Sequence, residues 1–481
     1  MSTARTVALV GARVGGGVLA LAAGAAVVGV AAFGPLPEVV APSPSVRVLP
    51  ADAQEVRACA GPLVALAEDA AEATSATALG APSIVSGALP ADAGADADAE
   101  VETGVADAPD IAGADAVGGV AWFSTAPGAV EPGMLAAASS QRVASERVAG
   151  FAAASCTEPV AEAWLVGGSV SVGRTTVLSL VNVGDVAATV RLEVSSELGA
   201  VVGTASVVVA PGTQRLLPLA GIAPDARSPV VHVLSAGGRV VPTLQQSVVR
   251  GLDPDGVEIV GAGQAPATEL VIPGVAPGMA TDADPDHAAD DDAASIVRVL
   301  APGADDGAAS VTFQAADGTT LAAVELQLRG GLVADVPMPA LSGERVDVRV
   351  RSDVPVVAAA RSTAGDPDGD AGSDLAWYAA APALGEDASV AVAPGPSPTL
   401  VLVNDDDARE VRLVDVAGGE RTVALPEGGS AAVAVSPGDV LRIEDAVGVR
   451  AAVTYLDATE ASSYAVLPPG ALDAPIRVYP R

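Results

Sequence analysis

The sequence predicts an all-β protein: three tandem antiparallel β-sandwich (Ig-like) domains after an N-terminal transmembrane helix and an Ala/Asp-rich low-complexity region. Three observations lead there. A unit of about 100 residues recurs, beginning at Val177, Ile296 and Thr399, and each copy offers six or seven short alternating runs between Gly, Asp, Asn and Pro turns. Half of the residues are apolar but only 2% are aromatic, so any core is built from Val, Leu, Ile and Ala, which cover sheets well. An uncharged, mostly apolar stretch of 20 residues, Val14 to Phe33, stands near the N-terminus.

As a helix rising about 1.5 Å per residue, that stretch spans the roughly 30 Å hydrocarbon layer of a bilayer. Arg5 and Arg13 precede it and Glu38 follows it, which places the N-terminus in the cytoplasm and the rest of the chain outside. A signal peptide cleaved near Ala31 and Ala32 is the competing reading, although its apolar region usually runs only about 7 to 15 residues. Closely spaced prolines from Gly34 to Gln54 describe an extended, semi-rigid spacer. From Glu68 to about Asp115 the chain is acidic and Ala-rich, broken by Gly and Pro and without a spaced apolar stripe, which reads as a mobile loop.

The chain has two cysteines, Cys59 and Cys156. On an extracytoplasmic chain the simplest expectation is that they pair, because that compartment is oxidising. The bond closes a loop of 97 residues, from 59 to 156, worth about 4 to 5 kcal/mol in the chain-entropy account. A redox pair of free thiols needs close spacing or a thioredoxin-like context, and neither is present. Trp164 follows shortly and reads as an apolar anchor that packs the disulfide-closed region onto the first sandwich, the sharper alternative being a ligand-stacking platform.

The copies share an order of features: a strand, a polar turn and a strand ("VLSLVNVGDVAATVRLEV", "IVRVLAPGADDGAASVTFQA", "TLVLVNDDDAREVRLVDV"), then a further strand with a hairpin, then two closing β-rich runs. Their starts are 119 and 103 residues apart (177 to 296 to 399), too far for propeller blades, which recur at about 40 to 50 residues. The expected division is therefore 1–33, cytoplasmic tip and anchor; 34–160, spacer and disulfide-closed acidic region; 161–275, 295–385 and 390–481, the three sandwiches.

Charge and composition exclude much chemistry. With 25 basic against 59 acidic residues, a formal net of −34, and no lysine, the surface repels phosphate backbones, so nucleic-acid binding is disfavoured. Walker-type loops, Schiff bases and Ser-Lys dyads all need the missing lysine. Two histidines, His232 mid-strand and His287 in an acidic linker, cannot build a multi-histidine metal centre. A Ser-His-Asp triad lacks its G-x-S-x-G turn, because "GGSVSVG" at 167–173 has Ser171 where the closing Gly belongs. "GAGQAP" at 261–266 has Pro266 in place of the third Gly of a dinucleotide loop and reads as an ordinary loop.

Two acidic segments sit at matching places after the penultimate strands of copies one and two: "GLDPDG", Gly251 to Gly256, and "GDPDGDAGSD", Gly365 to Asp374. Alternate carboxylates suit Ca²⁺, but Asp-Pro-Asp-Gly is equally a good turn without any ion, and no Glu stands where a bidentate ligand belongs. Both are read as turns, and Asp366, Asp368 and Asp370 with them. No cofactor, metal site or catalytic residue is assigned.

"CAGPL" around Cys59, "SC" with "AWLVGGSVSVGR" after it, "LVNVGDVAATVRL" and "ELVIPG" at 269–274 resemble an uncharacterised actinobacterial family of membrane-anchored secreted proteins, known as a domain of unknown function. The resemblance covers most of residues 55–470 and rests on structural motifs. It implies an envelope location, in the company of cell-surface glycosyltransferases, and carries no catalytic residue across. The Ala/Asp insertion at 68–115 is a departure from it.

Two functions fit. The first is a non-enzymatic envelope protein, held in the membrane through residues 14–33, that presents its sandwiches to a partner protein or cell-wall glycan. The second is a glycan-active enzyme with paired carboxylates, which needs no His, Lys or Cys. Sugar clefts usually carry aromatic platforms, and four Phe, four Tyr and three Trp in 481 residues leave few, so the first is the expectation.

Overall fold

A computed structural model of the chain describes residues 54–66, 76–89, 100–114, 116, 118–200, 205–278, 294–341, 345–365 and 372–470, with 17–18, 21–23, 25, 46–48 and 476–478 at the ends. The chain divides into two compact units, one of Met1–Leu49 with Pro475–Arg481, the other of Pro50–Ala474.

In the terminal unit the strand Val46–Val48 pairs antiparallel with Ile476–Val478, Val46 opposite Val478. Residues 17–18, 21–23 and 25 are helical and exposed. No helix among the described residues is long and apolar enough to cross a membrane; the rest of the stretch 14–33 lies outside them.

Among the described residues the main unit is all-β, with almost no helix, as the alternating runs require. Copy one forms a sheet of Glu162–Val166, Val230–Gly237 and Ala188–Ser196, with Gly199–Ala200 and Ala205–Val209 added to the last. A second sheet runs Thr213–Pro218, Arg174–Asn182, Val241–Arg250, Asp253–Val260. Ala188–Ser196 alternates buried and more exposed residues along its length, the period of a half-buried strand. Val190 and Leu192 of the first sheet and Leu178, Leu180 and Leu244 of the second share one core cluster. Trp164 corrects its expectation: it sits within this first sheet, opposite His232, and contributes to a core cluster drawn from copies one and two.

Copy two is built around the 20-residue strand Val346–Gly365. Its first half pairs with Ala267–Val275 and Gly307–Gln314; its second half pairs with Ile296–Leu300 and Ser373–Ala379. One strand therefore serves two sheets. Copy three has the sheets Ala388–Ala391, Val440–Glu444, Arg409–Asp415, Glu420–Leu425 and Ser430–Ala434, Thr399–Val403, Arg450–Leu456, Ala461–Ala465.

The acidic tract corrects the expectation of a mobile loop. Its described part holds four strands and short turns, the strands being Ala76–Ala78, Ser83–Ala88, Val101–Ala106 and Ile111–Ala112. Small side chains let larger ones from outside the tract complete the packing: Gly104 lies opposite Trp122, so close that a Cβ there would stand 2.1 Å from the indole. Ser83–Ala88 joins Leu135–Ala144 and Ala149–Ser155 in one sheet, and Cys59, Phe123, Leu135, Ala137 and Cys156 form a core beside it.

Candidate functional site

Cys59 and Cys156 are disulfide-bonded and each is 1% exposed. Ala58 and Thr157 beside them exchange backbone hydrogen bonds of 2.9 and 3.0 Å, so the bond seals a joint that the backbone already makes. Next to it lies a cavity of about 110 Å³, lined by Arg57, Leu135, Cys156, Glu158, Tyr464 and Val466 among others. Its polar wall is self-satisfied. Arg57 donates to Glu158 Oε1 at 2.7 Å and to Glu55 Oε2 at 3.1 Å, and Gly470 N–H donates to Glu158 Oε2 at 2.9 Å. Burial pushes the Glu55 carboxyl up, and the Arg57 charge offsets part of this. Burial likewise lifts the Tyr464 hydroxyl to about 12; it donates to Ala391 O at 2.7 Å.

The densest polar chemistry lies elsewhere, where four strands meet. Ala149–Ser155, Asp253–Val260 and Ala461–Ala465 are each the edge strand of their sheet, and Ser373–Ala379 pairs only with Val346–Gly365. The four pack in a ring, each against the next and the last against the first. They do not ladder to one another, so their free N–H groups need other acceptors. Two carboxylates supply them. Asp374 accepts from Phe151 N at 2.8 Å, Val257 N at 3.0 Å and its neighbour Leu375 N at 3.0 Å. Glu258 accepts from Ile259 N at 2.8 Å, Ser462 Oγ at 2.8 Å and Trp377 N at 3.4 Å. Ser462 Oγ in turn accepts from Ala153 N at 2.8 Å. Each carboxylate thus binds strands from two regions besides its own, and the pair ties all four together.

Glycines make room for this. A Cβ on Gly150, at φ +132, would stand 2.6 Å from Asp374 Oδ1, and one on Gly256, at φ +114, 2.7 Å from Leu375 Cδ2. Glu258 is 0% and Asp374 1% exposed. Burial pushes both carboxyls well above the usual range against the pull of their hydrogen bonds, with Glu460 adding to Asp374 and Asp374 to Glu258. A substrate has no route to either oxygen pair.

Other residues singled out in the sequence fall apart spatially. His232 stacks on Trp164 with centroids 3.9 Å apart and rings 9° from parallel, and its nitrogens lie 3.0 Å from Glu193 and 2.9 Å from Glu162. His287 and Asp366, Asp368 and Asp370 lie outside the described residues. In "GLDPDG" the turn is Gly251-Leu252, with Arg250 opposite Asp253; the expected Asp-Pro-Asp-Gly turn is already strand. Asp255 is ion-paired to Arg250 at 2.6 Å and accepts from Ser373. Among the described residues no group of three His, Cys, Asp or Glu is arranged to hold a metal ion.

Sequence reasoning missed Glu258 and Ser462, and it read Asp374, the end of the Gly365–Asp374 segment, as part of a turn, whereas Asp374 lies in the strand Ser373–Ala379. The signal was a polar residue inside a run with no solvent face, "GVEIV", "SDLAW" and "ASSYA". No curated protein matches the chain. Residues 105–436, more than two thirds of its length, match the profile of a family of unknown function, DUF5719, and the chain belongs to that family.

Proposed function

We propose that the protein is a non-enzymatic, membrane-anchored component of the cell envelope, whose paired sheets, read as three tandem Ig-like sandwiches, present loops to a partner protein or to cell-wall glycan. The observation that carries the reading is the ring of edge strands. The Glu258 and Asp374 carboxylates are sealed inside it and spent on backbone N–H groups and the Ser462 hydroxyl, so they clasp the sandwiches instead of meeting a substrate. What remains for function is the outer loops of a body held rigid at its centre. Charge distribution supports an anchor at the ends: the terminal unit carries five arginines against Glu38 alone, whereas the main unit carries 20 against 58 acidic residues. Protease added to intact cells tests the topology, since the body should be shaved while the N-terminal fragment pellets with membranes. Co-sedimentation of the full chain with purified cell-wall sacculi tests the glycan arm, and cross-linking in cells tests the protein arm. Turnover of sacculus glycan by the purified full chain, whether or not Glu258→Gln abolishes it, would contradict the non-enzymatic reading.

A further inference from the structure

We infer that the strand Thr320–Leu328 is a docking edge for a second copy of this chain, which adds its own Thr320–Leu328 antiparallel and joins the two copy-two sheets into one. The strand is nine residues long and, among the described strands, pairs with Gly307–Gln314 alone, so its other side presents unpaired N–H and C=O groups. Which groups these are follows from the neighbouring strand. Ala308 N donates to Asp353 Oδ1 at 2.8 Å, and Ala308 O accepts from Ser352 Oγ at 3.1 Å. Ala308 therefore faces Val346–Gly365, while Ala309, Val311 and Phe313 face Thr320–Leu328. Their opposites Leu326, Val324 and Ala322 are taken up, which leaves Leu321, Ala323, Glu325 and Gln327 with backbone groups aimed outward.

This edge lacks the usual protection. It has no Pro and one charged residue, Glu325, and its register with its neighbour is unbroken from Ala322 to Leu328. The corresponding outer edges of copies one and three are shorter: Ala205–Val209 has five residues, and Glu420–Leu425 has six, two of them charged.

Self-complementarity identifies the occupant. With Val324 opposite Val324 of the second copy the whole strand pairs, Glu325 falls opposite Ala323 and Gln327 opposite Leu321, and these outward-facing residues become the hydrogen-bonded pairs. No like charges meet directly. Ala322, Val324 and Leu326, which pack on copy two's core yet stay partly exposed, cover one another across the join. Arg329, exposed and without an ion-pair partner among the described residues, comes near the exposed Asp317 of the second copy. Each copy carries a net charge of −34, so association should tighten as salt screens the long-range repulsion.

Sedimentation of the full chain in detergent, over a dilution series, should show a monomer–dimer equilibrium. Ala323 is exposed, so Ala323→Glu, which sets a carboxylate opposite Glu325, should raise the dissociation constant about tenfold without harming the fold, whereas Ala323→Arg should lower it. The native cysteines are bonded to each other, so an added thiol reports on the join. Val324→Cys should give a disulfide-linked dimer under mild oxidation, because the two Cα atoms of that non-hydrogen-bonded pair lie about 4.5 Å apart. Gln327→Cys, about 20 Å from its counterpart, should not. A dimer that ignores both Ala323 variants and does not cross-link at position 324 would place the interface elsewhere, and a chain that stays monomeric at every concentration and salt would leave the edge to a different partner. Either result overturns the inference.

Discussion

The Asp374 carboxylate lies 2.8 Å from the backbone nitrogen of Phe151, 223 residues earlier in the chain. That bond joins copy two to the N-terminal region, and Gly150 makes it reachable. Gly150→Ala should cost about 2 kcal/mol or more through strain at positive φ and crowding of the carboxylate. Gly221→Ala, where nothing lies within 4 Å of the new Cβ, should stay within about 0.5 kcal/mol. Equal effects in denaturant titrations would remove the steric argument.

Copies one and two are joined by a second buried contact. Arg298 of copy two, fully buried, donates to Gly168 O of copy one at 2.8 Å and to both oxygens of Asp335 at 2.8 and 2.9 Å, and lies 4.8 Å from the Trp377 ring centroid. Arg298→Met should cost about 3 to 5 kcal/mol because Asp335 is left uncompensated, and Arg298→Met with Asp335→Leu should recover most of it. A double variant no more stable than the single one would refute that account.

Asp335 also sets an acid limit. Burial pushes its carboxyl up, but the Arg298 charge and hydrogen bonds outweigh this and hold it below the usual range. A depressed carboxyl adds stability present above its unfolded value, about 4, and lost as pH falls below it. This runs opposite to Glu258 and Asp374. Melting temperature against pH should therefore peak on the acid side of neutral, and Asp335→Asn should remove the acid limb. A profile that only rises from pH 3 to pH 8 would contradict the raised Glu258 and Asp374 carboxyls, and one without an acid limb would contradict the Asp335 assignment.

Removing the disulfide by Cys156→Ser should cost about 2 to 5 kcal/mol. The backbone bonds between Ala58 and Thr157 remain, so the loss should appear as a lower melting temperature with the fold retained. Thiol titration of the unfolded, unreduced wild type should find no free thiol.

Calcium should add nothing specific. Asp255 is already committed to Arg250 and Ser373, so millimolar Ca²⁺ should shift the melting temperature no more than Mg²⁺ does. A calcium-only gain approaching 2.7 kcal/mol, the value for a site at 100 times its dissociation constant, would reveal a specific site.

The strand content was legible because period-two burial, as in Ala188–Ser196, is a local property. The Cys59–Cys156 bond was legible because only one intramolecular pairing of two cysteines exists. The ring was not, since Glu258, Asp374 and Ser462 sit in three separate copies and only tertiary packing brings them together. The acidic tract was misread because Ala, Ser and Thr carry no apolar stripe; their strands are completed by Trp122, Phe123 and Leu135 from outside the tract.

Calorimetric unfolding of the full chain with Glu258→Ala and Asp374→Ala combined tests the clasp most directly. The wild type should melt with its copies coupled in one dominant transition, and the double variant should separate into two or more, the earliest well below the wild-type temperature. A variant that still melts in one transition at an unchanged temperature would show that the two carboxylates do not hold the four strands together.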